Sequence, residues 1–287
     1  LLQEGLTPAI LSRGYRSQGE KSNLLVSDGR ELLASVRMAG DEAWMLAQQV
    51  PQALVAVGRR RDRSARLVLE AAEDANNVVF VLEDGFQHLR LKRDLDLLLL
   101  EASDPLAGGR VLPAGRLREP LQAARRADVL MLTRCHLLEE ASLSQAQSRV
   151  RRLHPEAPIL RVSHRPKGWV EIPSGEERPL DRHPGRRALA LAALARPRQF
   201  AEDLRRLSLE VAGERFFRDH HWYRQREVES LIGILERGQA DFIATTEKDA
   251  VRLADLALPP GKIFALRIES YCHEEEELRR LLHKALR

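Results

Sequence analysis

Five apolar residues, Val78 to Leu82, run directly into Glu83-Asp84-Gly85. A buried strand ending in adjacent carboxylates sets acids at the carboxyl end of a parallel sheet, where α/β proteins bind their ligands. An acid pair in that position can hold magnesium for a nucleoside triphosphate. The same residues also fit a strand closing on a solvated turn, because Asp-Gly is a common turn pair. Phe86-Gln87-His88 follows with two more hydrogen-bonding side chains. Further on, Leu112-Pro113-Ala114-Gly115-Arg116-Leu117-Arg118-Glu119-Pro120 is a stiff loop with two arginines. Guanidinium forks grip phosphate bidentately, although one arginine among many can equally be a solvated surface group.

Four shorter segments carry groups of mixed meaning. Ser12-Arg13-Gly14-Tyr15 follows an apolar run, and Ala39-Gly40-Asp41-Glu42 precedes a helical pattern in which Asp41 fits an ordinary N-cap. His220-His221 lies beside Asp219 in a polar stretch, as a base, a metal ligand or exposed side chains. Thr245-Thr246-Glu247-Lys248-Asp249 comes straight after a strand-like run, with Thr246 and Asp249 spaced as a capping box.

The elements that must position these groups alternate between two kinds. Unbroken apolar runs occur at 9–11, 53–57, 78–82, 95–100, 129–132, 188–194, 242–244 and 263–266. Runs without polar alternation suggest strands covered on both faces, the habit of parallel sheets. Between them, 42–49, 64–72, 137–153, 197–207, 224–237 and 274–286 place apolar residues at helical spacing. This alternation predicts an α/β fold with right-handed crossovers. Six prolines fall between residues 155 and 184, around two alternating runs, 159–163 and 168–172, that could pair as a small antiparallel ribbon. The expected organisation is a larger first lobe over 1–154, a linking ribbon over 155–186 and a smaller α/β lobe over 187–287.

Composition narrows the function classes. The 287 residues are 44% hydrophobic and 31% charged, enough apolar matter for a sizeable core. Cys135 and Cys272 are far apart and form no CxxC pair, so neither a disulfide framework nor a zinc site is expected, and a reducing compartment fits best. No apolar run reaches the roughly 18 residues needed to span a bilayer. The formal charge is +4, but the basic residues are 40 arginines and only six lysines, and aromatics are 5% of the chain. With no zinc finger and no aromatic RNA-binding strand, base stacking has little to work with. A basic surface suits anionic lipid headgroups or phosphorylated substrates as well.

In their order along the chain, Ser12 to Tyr15, Ala39 to Glu42, Glu83 to His88, Arg93-Asp94-Leu95-Asp96, Leu112 to Pro120, Asp219 to His221 and Thr245 to Asp249 resemble the tetraacyldisaccharide 4′-kinases, lipid A pathway enzymes of Gram-negative bacteria. The resemblance runs from Leu1 to about Leu266, and its two central motifs are specific in combination. It implies a two-lobed P-loop fold and transfer of the ATP γ-phosphoryl group to the 4′-hydroxyl of an acylated glucosamine disaccharide. It also implies Mg²⁺ dependence and peripheral attachment at the cytoplasmic face of the inner membrane.

By match to the family's motifs, Glu83 and Asp84 fall at the metal-binding acids, and Asp41 and His220 at the base acting on the acceptor hydroxyl. Arg13, Gln87, His88 and Arg118 fall at substrate-binding positions. Glu83 stands where the family usually has Asp, Ala43 where it has Pro, and Leu191 to Pro197 where it is glycine-rich. The family's GxxxxGK[ST] loop and membrane helix are expected ahead of Leu1, so the nucleotide-binding residues are unassigned, and the 287 residues alone are expected to be inactive. The rival readings are another P-loop kinase or ligase, and a basic nucleic-acid-binding protein.

Overall fold

The computed structural model describes residues 1–286. Along the chain lie β1 (Thr7–Ser12), β2 (Leu24–Asp28), α1 (Val36–Ala39), α2 (Asp41–Gln49), β3 (Leu54–Val57), α3 (Arg61–Ala71), β4 (Val78–Leu82), β5 (Leu97–Glu101) and β6 (Val129–Thr133). Then come α4 (Glu140–Leu153), β7 (Ile159–Ile172), β8 (Glu177–Pro179), β9 (Arg187–Ala192), α5 (Pro197–Arg206), β10 (Glu210–Phe216), α6 (Gln225–Glu236), β11 (Phe242–Thr246), α7 (Glu247–Leu253), β12 (Ile263–Cys272) and α8 (Glu275–Ala285). Each of the eight apolar runs forms a strand, and each of the six helical patterns forms a helix.

Two compact units result. The first joins Leu1–Gly85 to Lys167–Arg267, and the second joins Phe86–Pro166 to the residues from Ile268 onward. The chain changes unit inside β7 and inside β12, so the division follows strand pairing rather than proline content. The two alternating runs around Pro166 do not form a hairpin with each other. They are one 14-residue strand, β7, and the antiparallel partner of Gly168–Val170 is β8. Pro166 falls between the residues of β7 that pair with β6 and those that pair with β8, so its missing N–H breaks neither ladder.

In the first unit, one sheet has the order β2-β3-β1-β4, with β1 parallel to both neighbours and β2 antiparallel to β3. Apolar residues fill both its faces: Val26, Ala43, Ala47 and Val55 on the α2 side, Leu11, Leu54, Ala56 and Val68 on the α3 side. A second set of parallel strands has the order β10-β9-β11-β12. It carries α6 on one face, through Leu231 and Ile243, and α5 on the other, through Phe200 and Phe242. The second unit is built on β5-β6-β7 in parallel, with α4 on one face and α8 on the other.

Full cover on both faces holds for β3, β9, β11 and the first half of β12, but not for β4 or β5, where Val81 and Leu99 stay exposed. Both strands lie last in their order, where helices cover less of the sheet.

Candidate active site

Leu11 of β1 pairs with Leu82 of β4, so Ser12 and Glu83 leave the sheet side by side. The Glu83 backbone N–H continues the ladder to the Leu11 carbonyl at 3.1 Å, and Ser12 Oγ donates to Glu83 Oε2 at 2.9 Å. Burial pushes the Glu83 carboxyl above the usual carboxylate range, and the charges of Glu42 and Asp84 push the same way. Asp84 is exposed in a left-handed conformation with φ 47°. Arg61, the first residue of α3, is buried beside the pair and donates through Nη2 to the Glu83 carbonyl at 3.4 Å. Its Nε has no hydrogen-bond partner among the described residues.

Among the described residues no three His, Cys, Asp or Glu side chains converge as a metal cage. A cation held by only these two acids would take its other ligands from phosphate and water. That is the habit of magnesium, which uses one or two carboxylates together with phosphate oxygens and water. Two adjacent acids beside an unsatisfied guanidinium N–H fit such a group.

Gly14 and Gly40 set the next part of the site. Gly14 has φ 63°, and a Cβ there would lie 2.7 Å from Ser17 Oγ and 3.1 Å from the Ala39 carbonyl oxygen. Gly40, at φ 87°, turns the chain from α1 into α2. Asp41 is not the N-cap that its sequence position suggested. Gly40 occupies that place, and Asp41 is the first helical residue. Its Oδ1 accepts from the Glu42 N–H at 3.0 Å, which leaves Oδ2 free to turn toward other elements. Oδ2 accepts from His220 Nδ1 at 3.1 Å and from Arg252 Nε at 2.9 Å, with Arg252 Nη2 at 2.8 Å. Burial raises the Asp41 carboxyl, but Arg252, Lys248 and His220 outweigh it and hold the group below the usual carboxylate range.

His220 is not an exposed loop residue. Its side chain is 22% exposed, its backbone is left-handed at φ 62°, and Tyr15 meets its ring edge-on at 6.1 Å. Such a backbone is costly for a residue with a Cβ and recurs at functional sites. Nδ1 facing a carboxylate carries the proton there, so Nε2 is left as an acceptor. The nearest acid to Nε2, Asp219 Oδ2, lies 3.9 Å away, beyond hydrogen-bond reach. His221 points elsewhere. It stacks on Phe217 at 4.4 Å and bonds Glu227 at the start of α6, a structural role.

The α7 residues were the least legible part of the site. Thr246 caps α7 by accepting from the Asp249 N–H at 3.2 Å, as the spacing suggested. The Asp249 carboxylate does more than the capping pattern implies, accepting from Thr246 Oγ1, Tyr223 Oη and the Ala193 N–H. Lys248 bonds Glu42 at 2.9 Å and lies 4.0 Å from Asp41 Oδ2. Arg252, one turn on, is fully buried. One arginine among 40 gave no signal beyond its i+3 spacing from Asp249.

The remaining expected residues divide between the units. Arg13, in the first, is exposed and pairs with Glu20, which Arg59 also meets. Gln87, His88 and Arg118 belong to the second. There Gln87 bonds Glu119, Arg126 lies 4.7 Å over the Phe86 ring and pairs with Glu119, and Arg93 donates to the His88 carbonyl. Arg118 is exposed, and its neighbour Arg116 pairs with Asp104.

Relatives share this organisation over the whole chain. The sequence profile of the tetraacyldisaccharide-1-P 4′-kinases matches residues 1–287. The tetraacyldisaccharide 4′-kinase of Geobacter metallireducens is 38% identical over 286 residues, covering 100% of this chain and 81% of its own. That of Geobacter sulfurreducens is 39% identical over 254 residues, 88% of this chain and 68% of its own. A crystal structure of the "apo" form of LpxK from Aquifex aeolicus in complex with ATP superposes with a TM-score of 0.75 at 30% identity, covering 100% of this chain and 81% of that one. The fold is thus the mixed α/β, P-loop kinase type, and the chain belongs to the tetraacyldisaccharide 4′-kinase family.

Proposed function

We propose that the protein transfers the γ-phosphoryl group of ATP to the 4′-hydroxyl of a tetraacyldisaccharide 1-phosphate in lipid A biosynthesis, with Asp41 and His220 as the base. The observation that carries the residue assignment is the 3.1 Å hydrogen bond from His220 Nδ1 to a buried, ionised Asp41. A sugar hydroxyl is a poor nucleophile, and a base within about 2.6–3.2 Å assists it. His220 Nε2 takes the hydroxyl proton as the oxygen bonds to phosphorus and the bond between the γ-phosphorus and the bridging oxygen breaks. ADP departs, and Asp41 stabilises the imidazolium.

Glu83 and Asp84 would hold Mg²⁺, which when bound neutralises charge on the phosphates. Arg61, with its open Nε, stands ready to donate to a phosphate oxygen. Arg13, Gln87, His88 and Arg118 are the candidate contacts for the anionic lipid. None of the described helices is long and apolar enough to cross a membrane. The net positive charge supports peripheral attachment to the anionic cytoplasmic surface of the inner membrane.

The test is phosphoryl transfer from γ-labelled ATP to purified tetraacyldisaccharide 1-phosphate by the kinase as its gene encodes it. A product labelled at the 4′ position, lost in Asp41→Asn, supports the assignment. Undiminished labelling by Asp41→Asn would refute the base.

A further inference from the structure

The buried guanidinium of Arg252 touches Asp41 and a second carboxylate, Asp249. Nε and Nη2 meet Asp41 Oδ2 at 2.9 and 2.8 Å, and Nη1 meets Asp249 Oδ1 at 3.3 Å. Nη1 also lies 3.4 Å from the Ala193 carbonyl and 3.3 Å from that of His221. One side chain thereby connects the first turn of α2, the end of β9 and the loop that carries His220. Asp249, fully buried, is held in turn by Thr246, Tyr223 and the Ala193 N–H.

We infer that Arg252, fixed by Asp249, is a positioning residue that aims Asp41 Oδ2 at His220 and keeps the pair in working register. The inference rests on the Asp41–His220 reading above.

The charge count favours this over a plain structural bolt. A bolt needs one acid per base. Here Asp41, Asp249 and Glu42 face Arg252 and Lys248, and Asp219 lies 3.9 Å from His220 Nε2, so four acids surround two fixed cations. The excess borders His220 at Asp41 Oδ2, where it favours the imidazolium once the ring accepts a proton. Geometry adds to this. A carboxylate with only His220 as partner could rotate about its terminal torsion, whereas the Arg252 Nε hydrogen bond, with Nη2 in ion-pair contact at 2.8 Å, holds that oxygen in place.

The experiment is a cycle of Arg252→Gln and Asp41→Asn, with Arg252→Lys as a third variant, read as kcat and KM for both substrates, as the pH profile of kcat and as thermal midpoint. Arg252→Gln should lower kcat on the order of 10- to 100-fold with little change in either KM, a share of what a general base supplies. Arg252→Lys keeps the charge but not the fork, and should retain an intermediate rate. The acidic limb of the Arg252→Gln profile should move to higher pH, because Asp41 would stay buried with Lys248 and His220 but without its main cation. In the Asp41→Asn background, Arg252→Gln should cause no further loss of kcat, and the double variant should melt above Arg252→Gln alone, because the buried Asp41 charge that lost its main cation has gone.

If Arg252→Gln does not fold, Arg252→Lys carries the same cycle. Equal Arg252 losses in both backgrounds, or losses that track thermal midpoint alone, would overturn the positioning role while leaving the base intact. Full activity of Asp41→Asn would instead sink the base reading itself.

Discussion

Asp41 and His220 stand 179 residues apart in the chain, yet Asp41 Oδ2 accepts the His220 Nδ1 hydrogen at 3.1 Å. The contact requires three local features at once. Gly40 turns α1 into α2 so that Asp41 begins a helix, His220 takes a left-handed backbone, and α7 brings Arg252 onto Asp41 Oδ2. A buried carboxylate has no reason to ionise unless cations face it, and here Arg252 and Lys248 do.

That arrangement fixes a pH dependence of stability. Asp41 has its folded-state pKa lowered, so its stabilising contribution is fully present above its unfolded pKa, about 3.9. The contribution is lost as pH falls through the lower folded value. Denaturant unfolding of the wild type and of Asp41→Asn should differ by about 1–3 kcal/mol at neutral pH. The gap should hold above about pH 5 and close below pH 4. A gap that widened on acidification would mean that Asp41 is protonated in the native state.

Magnesium dependence should report on Glu83 and Asp84. Asp84→Asn removes one charge at nearly constant volume, and should raise the Mg²⁺ concentration for half-maximal turnover by about tenfold or more. Because Asp84 is exposed, its thermal midpoint should hardly move. Glu83→Asp, which restores the family's usual residue, should stay active. Unchanged magnesium titrations for both variants would remove the pair from the metal site.

The Ser12–Tyr15 turn should be intolerant of a side chain. At Gly14 a Cβ meets Ser17 Oγ and the Ala39 carbonyl, and φ is 63°. Gly14→Ala should destabilise by about 1–3 kcal/mol. Gly108, with similar φ but nothing near its missing Cβ, should respond more mildly to the same change. Equal shifts in the two melting curves would mean that the Gly14 packing contributes nothing.

Apolar runs made the strands legible, since an unbroken β9 or β11 has little alternative to burial in a parallel sheet. β2 and β10 escaped because Ser27 and Asp28, or Glu210 and Glu214, interrupt them; both lie at the end of their strand orders, where polar side chains are tolerated. Glu83 and Asp84 could be seen because a strand points at them. Asp41 and His220 were visible only through resemblance, because a lone acid at a helix start and a polar-loop histidine each have a common structural explanation. Arg61 left no mark, and Arg252 none beyond its i+3 spacing from Asp249. Their meaning lies in burial, and burial of one arginine among 40 is decided by tertiary packing that local pattern does not encode.

The most direct test of the Asp41–His220 base is a double-mutant cycle on turnover, Asp41→Ala with His220→Ala, in the kinase as its gene encodes it. A base contributes on the order of 10²–10⁴ in rate. If the two residues act as a unit, each single change should lose about as much kcat as the pair, as coupled catalytic groups do. Thermal midpoints should not follow the same order, because Asp41→Ala also takes the closer of its two carboxylates from Arg252 while His220→Ala does not. Small losses in kcat that add in the double variant and rank with thermal midpoint would contradict the account.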